Sequence, residues 1–439
     1  MENSLTYETV QLGSIQPNPR NARTHSQRQI KQIEKSIKAF GFTNPILIDE
    51  SNLLIAGHGR LEAARKLGLA EVPAIRVGYL SEEQKRALML ADNKIAANAG
   101  WDLEILAYEL EDLSTMDLAF DIDLTGFEVG EIDLILGSGA VIDPPQAEMS
   151  PMPDRTLPPI SQPGDVWSLG SHRVMCGDAR SREDMAALMG DDRAHAAACD
   201  PPYNVKITGH VSGKGKVKHR EFAHASGEMS PVDFEGFLTD ALTLGAQYSR
   251  DGGVWFVCMD WRHMGEMLAA GTRAFDAFLN LCVWAKTNGG MGSLYRSQHE
   301  LVFVFRKGRE GHRNNVQLGR FGRNRTNLWT YPGVNTFRPG RMQELIAHPT
   351  AKPVAMNRDA LLDVTARGEF ILDSFLGAGA TLMAAEQIGR FARGMEIDPA
   401  YVDVTLRRWR QETGVEPVRA RDGIDLSALE QTAREGIVS

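Results

Sequence analysis

Apolar residues in the first third of the chain recur first at helical and then at strand spacings. Four of them are separated by three, four and three positions, which predicts an amphipathic helix over 27–40: Ile30, Ile33, Ile37 and Phe40. Ser26 and Gly41 suit the start and the end of that helix. The same pattern predicts short strands at 45–49, 53–55 and 72–77, and helices at 59–67 and 81–137. Such a mixture is typical of a small α+β domain.

The remaining two thirds of the chain alternate strands and helices. Strand-like apolar runs lie at 172–176, 195–199, 254–259, 280–285, 300–306 and 370–373. Helical stretches between several of them lie at 182–189, 233–249, 379–388 and 399–412. This alternation predicts an α/β fold with a doubly wound sheet, in which ligands bind beyond the carboxyl ends of the strands.

A proline-rich stretch separates the two parts, because residues 138–163 hold seven of the twenty prolines. Proline cannot continue a helix or fill a central strand, so we interpret the stretch as a linker. The predicted organisation is a small domain at 1–80, a helical extension at 81–137, the linker at 138–163, an α/β domain at 164–414 and a tail at 415–439.

The composition of the 439 residues is that of a globular protein with a formal net charge of −9. Taken alone, this charge argues against a nucleic-acid-binding protein. The four cysteines show no CxxC spacing, so no metal site is predicted. The N-terminus lacks a signal-peptide pattern, and no apolar run reaches the roughly 20 residues of a membrane span. We therefore expect a cytoplasmic protein without a membrane partner.

The apolar run at 195–199 is followed directly by the tetrapeptide Asp200-Pro201-Pro202-Tyr203. The two prolines stiffen the backbone, so a carboxylate, a free Pro201 carbonyl and an aromatic ring are held at the edge of the sheet. These groups can accept two hydrogen bonds from an amino group while the ring stacks beside it. The alternative is a β-turn with a capping aspartate and a buried tyrosine, which the turn preferences of Pro and Asp also favour.

A second strand ends at Asp373 and leads through Gly377 and Gly379 into a helix that opens near Thr381. Glycines let a ligand approach the backbone, and the start of a helix offers free N–H groups. About twenty residues further on, another strand ends in Glu396, a position from which an acidic residue can hold ribose hydroxyls. The missing third glycine argues against a standard NAD site. Tight packing of strand against helix is the alternative explanation of the turn.

Together these segments resemble the DNA amino-methyltransferases that use S-adenosylmethionine. The resemblance covers about 164–413 and rests on GDVWSLGSHRVMCGDA at 164–179, DPPY at 200–203, SQHELVFVFRKG at 297–308, HPTAKP at 348–353 and DSFLGAGAT at 373–381. Ser374 and Ala378 depart from the family's usual proline and serine. The catalytic tetrapeptide precedes the cofactor loop, which is the permuted order of the family's β group. The resemblance implies a Rossmann-like methyltransferase sheet.

The resemblance also implies a reaction, which is methyl transfer to the exocyclic amino group of a base flipped out of duplex DNA. Asp200 and the Pro201 carbonyl would accept the two N–H bonds and aim the nitrogen lone pair at the sulfonium methyl. Tyr203 would stack on the base. DPPY is commoner among N6-adenine enzymes, which favours adenine over N4-cytosine. The implied cofactor residues are Asp178 near the adenine end, Glu396 on the ribose, and His348, Lys352, Asp373, Phe375, Gly377, Gly379 and Thr381.

Two basic runs flank the predicted active site in sequence. Residues 305–325 carry seven Arg or Lys and one Glu, and residues 204–225 carry five and one. Their net charges of +6 and +4 leave −19 on the rest of the chain, so the overall acidity conceals two positive segments. We expect duplex DNA to bind there, with solvated loops as the alternative. The predicted DNA-binding residues are Lys214, Lys216, Lys218, Arg220, Arg309, Arg313, Arg320, Arg323 and Arg325.

The first 80 residues resemble the ParB/sulfiredoxin fold through NPRNART at 18–24, IAGHGRLEAARKLGL at 55–69 and VPAIRV. The segment has no cysteine, so sulfiredoxin activity is not supported. ParB proteins that bind CTP carry G-E-R-R, whereas this chain has Gly57-His58-Gly59-Arg60. The missing glutamate and arginine weigh against CTP binding. A DNA-docking or protein-interaction module is the preferred interpretation.

The leading hypothesis is therefore a site-specific adenine DNA methyltransferase. The alternatives are an N4-cytosine enzyme, a methyltransferase for RNA, protein or a small molecule, and a ParB-like DNA-binding protein with an inactive methyltransferase domain. A nuclease is disfavoured, because residues 1–137 show no carboxylates at metal-binding spacing. The sequence leaves open the recognition site, a restriction partner and a homodimer.

Overall fold

A computed structural model describes residues 6–116, 122–138, 159–205, 227–287, 289, 294–317, 325–332 and 352–438. The chain forms two compact units, Met1–Gly139 and Ala140–Ser439, and each is considered by itself. Most of the predicted linker lies outside the described residues. Within the described ranges, no helix combines the length and the apolar composition needed to cross a membrane.

The first unit begins with a four-stranded sheet. Its strands, in spatial order, are β1 (Thr6–Gln11), β4 (Glu71–Arg76), β2 (Ile46–Ile48) and β3 (Leu54–Ala56). Helix α1 (Gln27–Phe40) confirms the predicted helix residue for residue, and the Ser26 hydroxyl accepts a capping hydrogen bond from the Gln29 N–H at 3.1 Å. Helix α2 (His58–Leu67) adds Leu61 and Ala64 to the core against the sheet.

Three further helices follow in this unit, as the pattern between 81 and 137 predicts: α3 (Glu82–Asn98), α4 (Leu103–Thr115) and α5 (Val129–Ser138). Helices α4 and α5 share a small core of Leu106, Leu110 and Ile132. The Trp101 ring lies edge-on to Phe127, with 5.3 Å between ring centroids.

The second unit is built on a ten-stranded sheet of order β11-β9-β10-β8-β7-β12-β13-β6-β5-β14. The strand bounds are β5 (Val166–Leu169), β6 (His172–Cys176), β7 (Ala194–Cys199), β8 (Ser249–Met259), β9 (Ala277–Lys286), β10 (His299–Arg306), β11 (Leu328–Tyr331), β12 (Phe370–Asp373), β13 (Phe391–Glu396) and β14 (Val418–Arg419).

Helices cover both faces of this sheet. One face packs against α6 (Arg182–Met189), α7 (Pro231–Gln247) and α8 (Met264–Ala274). The other packs against α9 (Val354–Val364), α10 (Ala380–Gln387), α11 (Pro399–Thr413) and α12 (Leu426–Val438). Strand β7 shows the division, since Ala197 joins the first core and Ala196 the second. The doubly wound α/β fold is confirmed.

The strand directions define one edge of the sheet, which we name the carboxyl edge. Strands β8, β7, β12, β13 and β6 are mutually parallel and end there. Strand β10 is antiparallel to β8, with Leu301 opposite Met259, so β10 begins at the carboxyl edge and ends at the opposite one. Strand β9 is antiparallel to β10 and ends at the carboxyl edge with Lys286.

The segment interpreted as a tail contains structure. Strand β14 pairs with β5, and α12 follows with Leu426 fully buried. The Arg407 guanidinium donates a hydrogen bond to Glu430 at 2.6 Å, which joins α11 to α12. The apolar side of α12 is short, with Leu426 and Leu429 as its core contacts, and the sequence pattern alone did not reveal it.

Candidate active site

Three carboxylates stand at the ends of three neighbouring parallel strands. Asp200 follows β7, Asp373 ends β12 and Glu396 ends β13. The strands are in direct register, with Leu372 opposite Ala197 and Asp373 opposite Gly394. The structure therefore brings the two predicted motifs together at the carboxyl edge.

Asp200 forms a buried ion pair with Lys352. The Lys352 ammonium lies 2.7 Å from Oδ2 of Asp200, and its side chain is only 4% exposed. The other carboxylate oxygen, Oδ1, is buried and has no hydrogen-bond partner among the described residues. Burial raises the pKa of Asp200, and Lys352 opposes that rise. Asp200 thus keeps one acceptor oxygen unused.

Lys352 also contacts Glu300, which the sequence analysis did not single out. Its ammonium lies 2.9 Å from Oε2 of Glu300, and the Tyr203 hydroxyl donates a hydrogen bond to the same oxygen at 3.0 Å. The ammonium also lies 5.1 Å from the centre of the Tyr203 ring. Lys352, predicted to bind the cofactor, therefore contacts Asp200 and Tyr203 of the tetrapeptide.

Two more residues complete this cluster. Lys286 donates a hydrogen bond to Oε1 of Glu300, and its ammonium lies 4.8 Å from the centre of the Trp284 ring. Burial would raise the pKa of Glu300, but the two lysines outweigh burial and lower it. Two carboxylates and two ammonium groups thus alternate in the order Asp200, Lys352, Glu300, Lys286. Lys286 lies in β9 and Glu300 in β10, both far from Asp200 in sequence. The cluster could therefore be predicted only from the order of the strands in the sheet.

Asn204, the residue after Tyr203, is bonded to the segment just before α7. Its side-chain amide donates to the Met229 carbonyl at 2.9 Å, and its side-chain oxygen accepts from the Gly227 N–H at 3.0 Å. Asn204 itself has a φ of 52°, a left-handed conformation that asparagine tolerates better than most residues. These bonds fix the backbone directly after the tetrapeptide.

The glycine turn after β12 has the predicted form. Gly379 has a φ of 81°, and a Cβ there would lie 2.8 Å from Cγ2 of Thr405. The Thr405 hydroxyl donates to the Gly377 carbonyl at 3.1 Å. The Thr381 hydroxyl donates to the Ala198 carbonyl at 3.3 Å, which ties the start of α10 to β7. The left-handed backbone and the contact with Thr405 therefore favour glycine at position 379.

Acidic side chains organise this turn. Glu396 accepts hydrogen bonds from the Gly377 N–H at 2.8 Å and from the Asp398 N–H at 2.9 Å. Asp373 accepts one from the Phe375 N–H at 3.0 Å. Burial raises the pKa of both carboxyls to about 7, although these hydrogen bonds oppose it. The predicted cofactor residues of this loop are thus in mutual contact.

Asp178 follows β6 at the same edge and is paired with Arg180 at 2.7 Å. The Arg180 guanidinium lies 5.2 Å from the centre of the Phe237 ring, and that ring lies 6.1 Å from the Phe375 ring. Asp178 is therefore linked through side-chain contacts to the glycine turn. His348 lies outside the described residues.

The predicted DNA-binding residues are more scattered. Arg309 and Arg313 follow the end of β10, at the edge opposite Asp200, and Arg313 pairs with Glu369 at 3.0 Å just before β12. Arg325 pairs with Asp363 at 2.8 Å and packs over Trp329. Because β10 runs away from the Asp200 site, the structure places Arg309 and Arg313 at the opposite edge, while Arg325 is engaged between α9 and β11. The others lie outside the described residues: Lys214, Lys216, Lys218, Arg220, Arg320 and Arg323.

The first unit has polar groups of its own at the start of α2. Nε2 of His58 and Nε of Arg60 are buried without hydrogen-bond partners among the described residues. Gly57 precedes them with a φ of 98°, and a Cβ there would lie 2.8 Å from Ile46. Burial lowers the pKa of both His58 and Arg60.

Three family models match the chain. The model described as DNA methylase matches residues 194–407, the ParB N-terminal domain matches 1–94, and the ParB-methyltransferase HTH domain matches 104–163. The last of these spans α4, α5 and much of the segment interpreted as a linker.

Two relatives match different parts of the chain. The ParB-like nuclease domain-containing protein YnaK of Escherichia coli (strain K12) is 51% identical over 75 residues, which are 17% of this chain and 86% of YnaK. The type II methyltransferase M.ScaI of Streptomyces caespitosus is 33% identical over 91 residues, which are 21% of this chain and 30% of M.ScaI. The chain thus spans less than a third of M.ScaI. The solved structure of the cytosine-N4-specific PvuII DNA methyltransferase aligns with 63% of this chain and 94% of its own, at 12% identity and a TM-score of 0.42.

Proposed function

We propose that the chain is a site-specific adenine methyltransferase, because the DNA methylase model matches residues 194–407 and the ParB N-terminal domain model matches residues 1–94. It would transfer the methyl group of S-adenosylmethionine to the N6 amino group of adenine in duplex DNA. The supporting observation is Oδ1 of Asp200, which is buried without a hydrogen-bond partner among the described residues.

An exocyclic amino group is a poor nucleophile, since its lone pair is delocalised into the ring. An N–H donated to Oδ1 of Asp200 and a second donated to the Pro201 carbonyl would draw the nitrogen toward tetrahedral geometry. Lys352 holds Oδ2 at 2.7 Å, so the carboxylate is oriented before the base arrives. Catalysis of this kind consists of positioning and electrostatic stabilisation.

The residues at the glycine turn fit a cationic adenosine cofactor. Asp373 and Glu396 offer carboxylates, and the first turn of α10, which follows Gly379, carries the N–H groups that the start of an α-helix leaves without intrahelical acceptors. When bound, S-adenosylmethionine supplies an electrophilic methyl group on sulfur. Glu396 would accept bonds from ribose hydroxyls, and Asp178 would lie toward the adenine.

Adenine is preferred because an aspartate opens the tetrapeptide, and DPPY is commoner among N6-adenine members of the family. DNA would approach the carboxyl edge, where the basic run at 204–225 follows Tyr203 directly in sequence. We therefore expect the DNA phosphates to contact Lys214, Lys216, Lys218 and Arg220 in preference to the arginines that follow β10.

Labelled S-adenosylmethionine incubated with duplex DNA, RNA and protein tests the proposal. We expect label in DNA alone, and N6-methyladenine after digestion to nucleosides. N4-methylcytosine would overturn the base assignment, and label in RNA or protein alone would overturn the substrate class. The Asp200→Ala variant is the matched control, which should bind the cofactor but leave the DNA unlabelled.

A second candidate function concerns the first unit, where His58 and Arg60 present unpartnered nitrogens at a helix start. Such a site suits a phosphate, and CTP is the nucleotide bound by ParB proteins with a related motif. Calorimetry of the full chain with CTP, and of Arg60→Ala beside it, tests this. Equal heats for both proteins would reject it.

A further inference from the structure

We infer that Glu300 is a positioning residue for methyl transfer: it holds Tyr203 and Lys352 in one arrangement and so sets how strongly Asp200 accepts the substrate amino group. The inference rests on the proposed function, since it assigns a role within the same reaction.

The contacts of Glu300 carry this inference. One oxygen, Oε2, receives the Tyr203 hydroxyl at 3.0 Å and lies 2.9 Å from the Lys352 ammonium. The other oxygen receives Lys286. A single carboxylate therefore joins the ring that would stack on the base to the cation that holds Asp200.

The position of Glu300 in the sheet makes it rigid. It lies in β10 opposite Trp284 of β9, and the next residue, Leu301, is opposite Met259 of β8. A side chain on a central strand is held more precisely than one on a loop. Only 12% of the Glu300 side chain is exposed, so water does not replace its contacts readily.

Glu300 also competes with Asp200 for the same ammonium group. Lys352 alone would draw charge density from Asp200 and weaken it as a hydrogen-bond acceptor. A second carboxylate on Lys352 reduces that effect, and its own negative charge favours the protonated form of Asp200. The titratable and charged groups that face this cluster from the elements packed against it are Tyr203 after β7, Cys258 of β8, Lys286 of β9, Lys352 before α9 and Asp373 of β12.

These charges give two substitutions with opposite consequences. Glu300→Gln removes a negative charge and keeps the shape, so Asp200 should ionise at lower pH and accept more weakly. Lys286→Met removes a positive charge, so Asp200 should ionise at higher pH. Both substitutions should shift the acidic limb, which is the pH range in which the single-turnover rate of methyl transfer falls as Asp200 becomes protonated. A purely structural role of Glu300 would not shift this limb.

The experiment measures that limb and the cofactor affinity for the unsubstituted enzyme, Glu300→Gln, Lys286→Met and Asp192→Asn. We expect Glu300→Gln to lower the rate about 10- to 100-fold, as a small displacement of reacting groups can, with cofactor affinity within about threefold. Its acidic limb should move to lower pH and that of Lys286→Met to higher pH. Asp192→Asn removes the carboxylate 2.8 Å from Arg393, remote from Asp200, and should leave the limb in place.

If the acidic limb lies at the same pH in both variants as in the unsubstituted enzyme, the inference is overturned, even if the rate of Glu300→Gln falls. If Glu300→Gln does not fold, the limb of Lys286→Met decides alone, in the direction given. Absence of DNA methylation by the unsubstituted enzyme would instead overturn the proposed function, and this inference with it.

Discussion

The carboxylate of Glu396 accepts a hydrogen bond from the backbone N–H of Gly377 at 2.8 Å. This bond joins the end of β13 to the glycine turn after β12, and a second one from the Asp398 N–H holds the carboxylate from the other side. The acidic residue that the sequence placed about twenty positions after the glycines therefore shapes the turn itself. Glu396 can therefore bind a ligand only through the lone pairs of its carboxylate that these two bonds do not use.

Cofactor affinity should rise between about pH 6 and pH 8. Burial raises the pKa of Glu396 and of Asp373 to about 7, so both carboxyls lose their protons across this interval. The ionised forms accept hydroxyl bonds better and attract a cation. Calorimetric titration with S-adenosylmethionine at several pH values measures the effect.

The product S-adenosylhomocysteine is the matched ligand, because its thioether lacks the sulfonium charge. Its affinity should rise less over the same interval, and Glu396→Gln should flatten both profiles. Without a ligand, the same raised pKa values lower the free energy of unfolding as pH rises from about 4 to above 7, because the unfolded chain ionises first. A cofactor affinity that falls with pH would contradict this account.

Gly379→Ala should abolish tight cofactor binding and destabilise the protein. The left-handed backbone costs an alanine about 1–2 kcal/mol, and the new Cβ would lie 2.8 Å from Thr405. Gly414→Ala is the matched control, since Gly414 has a φ of 74° with open space around the site of a Cβ. Thermal unfolding and calorimetry should show that Gly414→Ala costs some stability and leaves the cofactor affinity unchanged. Equal destabilisation by both variants would argue against the contact with Thr405.

The sequence predicted the parts of the fold that depend on local pattern. The helix at Gln27–Phe40, the alternation of strands and helices, and the resemblance to both families are confirmed. Asp200, Asp373 and Glu396 were predicted at strand ends, and parallel pairing brings them to one edge. Each of these features follows from periodicity or from residues next to one another in the chain.

What the sequence missed depends on strand order. Glu300 and Lys286 reach Asp200 only because β10 and β9 lie beside β8 with alternating directions, which no local pattern encodes. The same antiparallel β10 carries Arg309 and Arg313 away from the site. A residue that follows a core strand in sequence can lie at either edge of the sheet, because the direction of the strand decides which edge it reaches.

The Arg325→Ala substitution should lower the free energy of unfolding. Its guanidinium bridges Asp363 of α9 at 2.8 Å and the Tyr331 hydroxyl of β11 at 2.9 Å, so its loss removes an ion pair from a buried carboxylate and the contact that joins α9 to β11. We expect a loss of about 2–3 kcal/mol, somewhat less than for a fully buried pair, because 18% of Arg325 is exposed. Denaturant unfolding measures this. If the denaturant midpoint of Arg325→Ala is unchanged and its DNA binding is weaker, Arg325 instead contacts DNA.

The salt dependence of DNA affinity in variants should identify the residues that contact DNA. Strand β10 runs eight residues, or about 27 Å, from the carboxyl edge to the edge that leads to Arg309. Arg309→Ala should therefore leave DNA affinity and its salt dependence nearly unchanged. The double variant Lys216→Ala/Lys218→Ala, close to Tyr203 in sequence, should weaken binding and reduce the slope of log K against log salt by about 2, because each lysine would neutralise one phosphate. Fluorescence anisotropy with a labelled duplex at several salt concentrations measures both. If Arg309→Ala reduces the slope and the lysine variant does not, DNA reaches the protein from the edge opposite Asp200.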